Sequence, residues 1–285
     1  MRGIYRSETG ARLLREQYQH ALQHWPVDNQ HHRIPTPEGE TFVVTSGPAT
    51  APPLVLLHGS GANTTQWSDR ISSLAEHFRV HAVDLIGEPG LSAPARPPLA
   101  SDRHARWLDA VLDALGIQQT PIMGISLGGW IALDYATRRP GRVRRLALTC
   151  PLGIGRQKTG FLLTTALLGL LGERGRRRSV TTTLGPGLSA LPPELAGPVV
   201  DQVRLVSRNY RYRMEKLPVF DDTALRRLTM PLHVLLGERD VMVDSRHARQ
   251  RLRTTAPHAT VQVLPGVGHF IPPQEAAELA FLTNP

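Results

Sequence analysis

The five residues Gly124-Ile125-Ser126-Leu127-Gly128 constrain this chain of 285 residues more than any other stretch. An apolar run, Thr120-Pro121-Ile122-Met123, leads into them, and a helical pattern over residues 127–139 leads out. A strand that turns into a helix within so few residues has no room for flanking side chains. The two glycines remove the Cβ atoms that would clash, which lifts the serine above the end of a sheet. G-x-S-x-G also arises by chance, so its weight depends on what surrounds it.

The surroundings supply a sheet. Compact apolar runs at residues 54–57, 80–85, 122–124, 143–149, 232–236 and 261–264 read as strands, and residues 41–46 as a shorter one turned by Gly47-Pro48. Amphipathic patterns at residues 66–78, 102–115, 127–139 and 245–254 read as helices between them. This alternation predicts the α/β class, with a mostly parallel sheet covered by helices on both faces. A further helix over residues 12–25 is expected on the outside. The alternation stops between Pro151 and Leu228. Helical patterns at residues 161–171 and 194–212 occur there, joined by connectors such as Leu184-Gly185-Pro186-Gly187. The expected organisation is a core formed by residues 1–150 and 229–285, with a helical lid at residues 151–228. Ligands of open α/β sheets bind at the carboxyl edge, where such a lid would sit.

Composition narrows the class. Hydrophobic content of 41% and charged content of 20% are ordinary for a soluble globular protein. The single cysteine, Cys150, excludes an intramolecular disulfide and reads as an inert core thiol near a strand end. Residues 1–18 are polar and carry no apolar signal region. The longest apolar stretch, residues 161–172, is interrupted by Thr164, Thr165 and Gly169 and falls short of the roughly 20 residues a membrane span needs. The expectation is a cytoplasmic protein with no membrane partner. The net charge of +9 is almost all arginine, dispersed apart from a run at Arg174, Arg176, Arg177 and Arg178. No interleaved aromatics or zinc-ligand spacing accompany it, which argues against nucleic acid as a partner.

A serine hydroxyl becomes nucleophilic at neutral pH only beside a base, and the base needs an orienting carboxylate. In this architecture the chain order is serine, then acid, then histidine. Gly237-Glu238-Arg239-Asp240 follows one late strand and Pro265-Gly266-Val267-Gly268-His269 follows the last, so Asp240 and His269 should reach the same sheet edge as Ser126. Of the twelve histidines, His20, His24, His31, His32, His77, His104 and His247 lie in polar or helical contexts expected to be solvated. His233 and His258 read as structural. Asp244 rivals Asp240 but suits a helix N-cap, and Glu238 is expected to point away. After the strand at residues 143–149 the chain reads Cys150-Pro151, with no carboxylate to serve as the acid. An oxyanion hole requires two backbone N–H groups. Leu127, at the positive end of its helix, is one candidate. The loop His58-Gly59-Ser60-Gly61 should supply the other, Ser60 first and Gly61 second, with His58 as a turn-stabilising residue.

These residues resemble the α/β-hydrolase superfamily over nearly the whole chain. The agreement covers His58-Gly59-Ser60-Gly61 with Trp67 downstream, Gly124 to Gly128, Gly237 to Asp240, and Gly268-His269. Trp25-Pro26-Val27, Ser46-Gly47-Pro48 and Asp84-Leu85-Ile86-Gly87 are similar to bacterial carboxylesterases of the naproxen-esterase type. One departure lies in Asp84 to Ser92, where many relatives carry a central Gly-His-Gly and Glu88-Pro89 here replaces the histidine. The resemblance implies a serine hydrolase without cofactor or metal, with Ser126, Asp240 and His269 as its triad and Ser60 and Leu127 as oxyanion donors. The expected reaction is cleavage of a hydrophobic carboxylic ester or lactone through an acyl-enzyme. Alternatives on the same fold are a tailoring thioesterase, carbon–carbon hydrolase, lyase or cyclase, and a non-catalytic small-molecule binding protein. The expected partner is a small hydrophobic substrate, and a homodimer is compatible with this reading.

Overall fold

A computed structural model describes residues 3–284 of the chain. The strands are β1 (Asn29–Ile34), β2 (Thr41–Ser46), β3 (Pro53–Leu57), β4 (Arg79–Val83), β5 (Thr120–Ile125), β6 (Val143–Thr149), β7 (Leu232–Gly237) and β8 (Thr260–Leu264). They form one sheet in the order β1-β2-β4-β3-β5-β6-β7-β8. β1 and β2 pair antiparallel with their neighbours, and every pairing from β4 to β8 is parallel. The strand order reverses at β3, which lies between β4 and β5. That reversal opens a crevice at the carboxyl ends of β3 and β5.

The helices are α1 (Glu8–Gln23), α2 (Ile71–His77), α3 (Arg103–Ala114), α4 (Leu127–Arg138), α5 (Gly160–Gly169), α6 (Gly172–Leu184), α7 (Pro193–Asn209), α8 (Asp222–Leu225), α9 (Ser245–Thr255) and α10 (Glu275–Thr283). Because the central strands are covered on both faces, they are apolar throughout rather than alternating. On one face Val55, Leu57 and Val83 pack with Trp107, Leu108, Ile131 and Leu252 of α3, α4 and α9. On the other, Leu54, Leu56, Met123 and Leu235 pack with Ile71, Leu74 and Leu282, and with Tyr18 and Leu22 of α1. Among the described residues no helix is long and apolar enough to cross a membrane.

The sequence patterns do not anticipate α8 or α10, and three further elements depart from the expectation. β1 (Asn-Gln-His-His-Arg-Ile) is an edge strand that buries only Ile34 completely, so it shows no apolar alternation. The single helix expected at residues 66–78 is split into a 3₁₀ turn at Thr64–Trp67, capped by Asn63, and α2. α6 buries only Gly175 and Val180, too little to leave a stripe in the sequence.

Between β6 and β7 the chain forms α5, α6 and α7. Val180, Leu188 and Val200 make a small core there, with Leu184, Val203 and Phe270 packed against it. The start of this insertion is stitched to the loop after β7, where Lys158 N–H donates to Met242 O at 2.8 Å and Asp244 N–H to Arg156 O at 2.9 Å. Its middle meets the loop after β8, with Phe270 N–H donating to Leu184 O at 2.9 Å. Its far end is held by the N-terminal segment, where Arg6 N–H donates to Asn209 O and Arg211 N–H to Ile4 O.

Candidate active site

Ser126 joins β5 to α4 with φ 52° and ψ −107°, a conformation that costs a side-chain-bearing residue on the order of 1–3 kcal/mol. The turn is held by Ser126 N–H donating to Thr149 O at 3.0 Å, and by Trp130 N–H donating to Ser126 O. The glycines are required by close approach. A Cβ on Gly124 would lie 2.6 Å from Gly128 O, and one on Gly128 would lie 2.2 Å from Leu57 O. These contacts place the serine at the carboxyl end of β5, beside the strand-order reversal.

The loop after β8 carries His269 to the same edge, and its Nε2 lies 3.0 Å from Ser126 Oγ. Its Nδ1 lies 2.8 Å from Asp240 Oδ2. A carboxylate can only accept, so Nδ1 carries a proton, and in the neutral imidazole Nε2 is then the nitrogen that accepts from the serine. Asp240 is fully buried, and its Oδ1 accepts from Met242 N–H at 2.7 Å and Val243 N–H at 3.0 Å. Burial opposes its ionisation, but His269 and these two amides outweigh burial and hold Asp240 below the usual carboxylate range. Burial likewise opposes a charged His269. The adjacent Cys150 and Asp240 outweigh it and raise the imidazole well above the ordinary histidine range. Ser126 and His269 are each 9% exposed.

The loop after β3 is pinned atom by atom. Gly59 N–H donates to Gln66 Oε1 at 2.7 Å, and Gly59 O accepts from His58 Nδ1 at 2.8 Å and Ala62 N–H at 3.3 Å. His58 Nε2 accepts from Leu85 N–H at 2.9 Å, which fixes the tautomer. Burial pulls His58 down to about 4, so the ring is neutral and acts as a brace. Gly61 N–H donates to Glu88 Oε2 at 2.6 Å and is committed there. The Ser60 and Leu127 amides have no acceptor among the described residues. Leu127 opens α4, where first-turn amides lack helical partners.

The competing groups fall elsewhere. Asp244 caps α9 by accepting from His247 N–H, and Glu238 accepts from Gly266 N–H at 2.8 Å on the surface. His258 Nε2 bonds to Met230 O at 3.0 Å. His104, expected to be solvated, is buried against Trp130 instead, because its face of α3 packs on α4. Three groups take places in the site that the sequence does not assign them, although Cys150 is expected to be buried and Glu88 stands out as a departure from the family pattern. Lys158 Nζ donates to Asp240 O at 2.8 Å, Cys150 stands beside His269 at φ 41°, and Glu88 lies beneath the loop after β3. None carries a local motif, since each acts across a large sequence separation.

A serine on a strained strand-to-helix turn, bonded through an imidazole to a buried carboxylate at the carboxyl edge of a mostly parallel sheet, is the arrangement of an α/β hydrolase. Residues 52–276 match the model of the alpha/beta hydrolase fold family, and the chain belongs to that family as a carboxylesterase-like hydrolase. It is 32% identical over 268 residues to an uncharacterized carboxylesterase, nap, of Bacillus subtilis (strain 168), covering 93% of this chain and 88% of that protein. The solved structure of naproxen esterase from Bacillus subtilis aligns with a TM-score of 0.80 at 30% identity, over 96% of each chain. That of carboxylesterase CesB (YbfK), also from Bacillus subtilis, aligns with a TM-score of 0.81 at 26% identity, over 97% of this chain and 99% of that one.

Proposed function

We propose that the protein hydrolyses a hydrophobic carboxylic ester or lactone through an acyl-enzyme on Ser126. The observation that carries this reading is the continuous hydrogen-bonded chain Ser126 Oγ–His269–Asp240, at 3.0 Å and 2.8 Å. Ser126 Oγ attacks the substrate carbonyl while His269 Nε2 takes its proton, and Asp240 stabilises the imidazolium that forms. The tetrahedral oxyanion accepts from the Leu127 and Ser60 amides. His269 then returns the proton to the departing alkoxide, leaving the acyl group on Ser126. Water, deprotonated by the same imidazole, completes hydrolysis and restores the serine. Protein groups and water balance every step.

The hydrophobic substrate class is supported by the apolar cluster of α6 and α7, which rests on Phe270 beside His269. In this reading the segment from α5 to α7 is a lid that must move to admit substrate, a role supported by the low exposure of Ser126 and by the bond from Phe270 N–H to Leu184 O next to His269. The test is Ser126→Ala assayed on aryl, short-chain, lactone and thioester panels, with labelling by a fluorophosphonate probe. The expected result is loss of about 10⁴- to 10⁶-fold in turnover together with loss of labelling. Full turnover by the alanine variant would overturn the assignment.

A further inference from the structure

Glu88 is 3% exposed and takes no part in the proton transfers above. It lies in the turn after β4, and its Oε2 accepts from Gly61 N–H at 2.6 Å and from the Ser60 hydroxyl at 3.3 Å. A buried carboxylate is retained only where such donors replace water. The groups facing it come from three other parts of the chain. Arg96 approaches from the loop leading to α3, Tyr210 and Tyr212 from the segment after α7, and Tyr5 from the N-terminal segment. Tyr210 Oη donates to Gly87 O at 3.0 Å and accepts from Arg96 Nη2 at 2.8 Å. Tyr212 seals the other side, its ring so close that a Cβ on Gly61 would lie 2.5 Å from it.

The consequence follows from the planarity of the peptide group. His58 and Ala62 hold the carbonyl of the Gly59–Ser60 peptide, which points the Ser60 N–H to the opposite side. Glu88 holds the amide of the next peptide, Ser60–Gly61. Ser60 is thus fixed from both flanks, and the Glu88 side is the one tied to the insertion. We infer that Glu88 is a positioning residue: its carboxylate fixes the Ser60–Gly61 peptide, and through it the Ser60 amide, for the oxyanion. The inference rests on the acyl-transfer reading above.

A pH dependence accompanies this role. Burial pushes Glu88 up to about 7, against the lowering effects of the Gly61 amide, Tyr210, Arg96 and Ser60. On protonation one carboxyl oxygen becomes a donor, and the grip on the Gly61 N–H weakens. The acid limb of the rate profile therefore carries a second proton besides that of His269.

The experiment compares Glu88→Ala, Glu88→Gln and Ser126→Ala in the full chain, with kcat and KM for an aryl ester measured across the acid limb. Glu88→Ala is expected to lower kcat by about 10- to 100-fold, the scale of a small misplacement of a catalytic group, with KM changed little. Glu88→Gln keeps an acceptor oxygen and should recover most of kcat, with an acid limb that follows one proton. A structural role alone would give neither the rescue nor the change in limb. Wild-type kcat in Glu88→Ala, or a wild-type limb in Glu88→Gln, with Ser126→Ala inactive, would overturn the inference alone. Should Glu88→Ala fail to fold, the Glu88→Gln profile decides. Activity in Ser126→Ala would instead overturn the parent reading.

Discussion

Ser126 is held in a left-handed conformation because the residues on either side have nowhere else to go. Gly128 packs its backbone on the carbonyls of Leu57 and His58, at 2.2 Å and 2.5 Å from an ideal Cβ. Both obstacles are main chain, so Gly128→Ala must push α4 away from β3. We expect a loss of about 1–3 kcal/mol in denaturant unfolding, and weaker fluorophosphonate labelling of Ser126. Asp240→Asn tests the other end of the hydrogen-bonded chain. An amide can donate to Nδ1 and so stabilise the wrong imidazole tautomer. kcat should fall about 10³- to 10⁴-fold while the melting temperature changes little. An asparagine variant with wild-type kcat would remove Asp240 from the proposed mechanism. Ser126, Asp240 and His269 could be named from sequence because each closes a strand with a recognisable exit loop. Glu88 could not, since its partner Gly61 lies 27 residues away and no local pattern links them.

At the scale of elements, α10 shows how long-range pairing decides what periodicity leaves open. Its Glu278 is buried against Arg70, the residue before α2, with Arg70 Nη1 at 3.2 Å from both carboxylate oxygens. The guanidinium also lies over the Trp67 ring at 5.3 Å. Burial raises Glu278, against the opposing pull of Arg70. Removing one member of such a pair leaves a buried charge without compensation. Glu278→Ala should therefore cost about 3–5 kcal/mol in urea unfolding, whereas replacing both partners by apolar residues of similar volume should cost far less. Equal losses in the single and double variants would show that packing of α10, rather than the charge, dominates. In the sequence these partners are 208 residues apart, and a carboxylate in a short terminal segment looks like an ordinary solvated group.

Across the whole molecule, buried titratable groups set the response to acid. Burial pulls His58, His81 and His104 from 6.5 down to about 4. Between these values the unfolded chain binds protons that the folded chain refuses, so stability is lost as pH falls from 6.5 toward 4. Asp84 and Glu88 are pushed up by burial to about 6 and about 7 and act in the opposite sense, because the folded chain then holds the extra proton. Each group contributes on the order of 1–3 kcal/mol. Burial also lowers His31 and His233 and raises Asp69, Asp134 and Glu278, so the two sets oppose each other over this window. Glu88→Gln removes one contribution that favours the folded chain on acidification, so its melting temperature should fall relative to wild type as pH drops from 7 toward 4. A difference between the two proteins that stays constant with pH would contradict this sign.

The sequence by itself determined the α/β class, the central strands and the order of serine, acid and histidine. Those features are written in short-range patterns: apolar runs, turn glycines and strand-exit loops. The tertiary structure decided what depends on contacts between distant segments. It made β1 a polar edge strand, which pairs through its backbone and needs no apolar face. It seated α6 and α7 on Phe270 and bound the end of the insertion to Ile4 and Arg6. It also brought a buried glutamate under the loop at Ser60, because burial and hydrogen bonding are properties of the packed molecule rather than of any local run of residues.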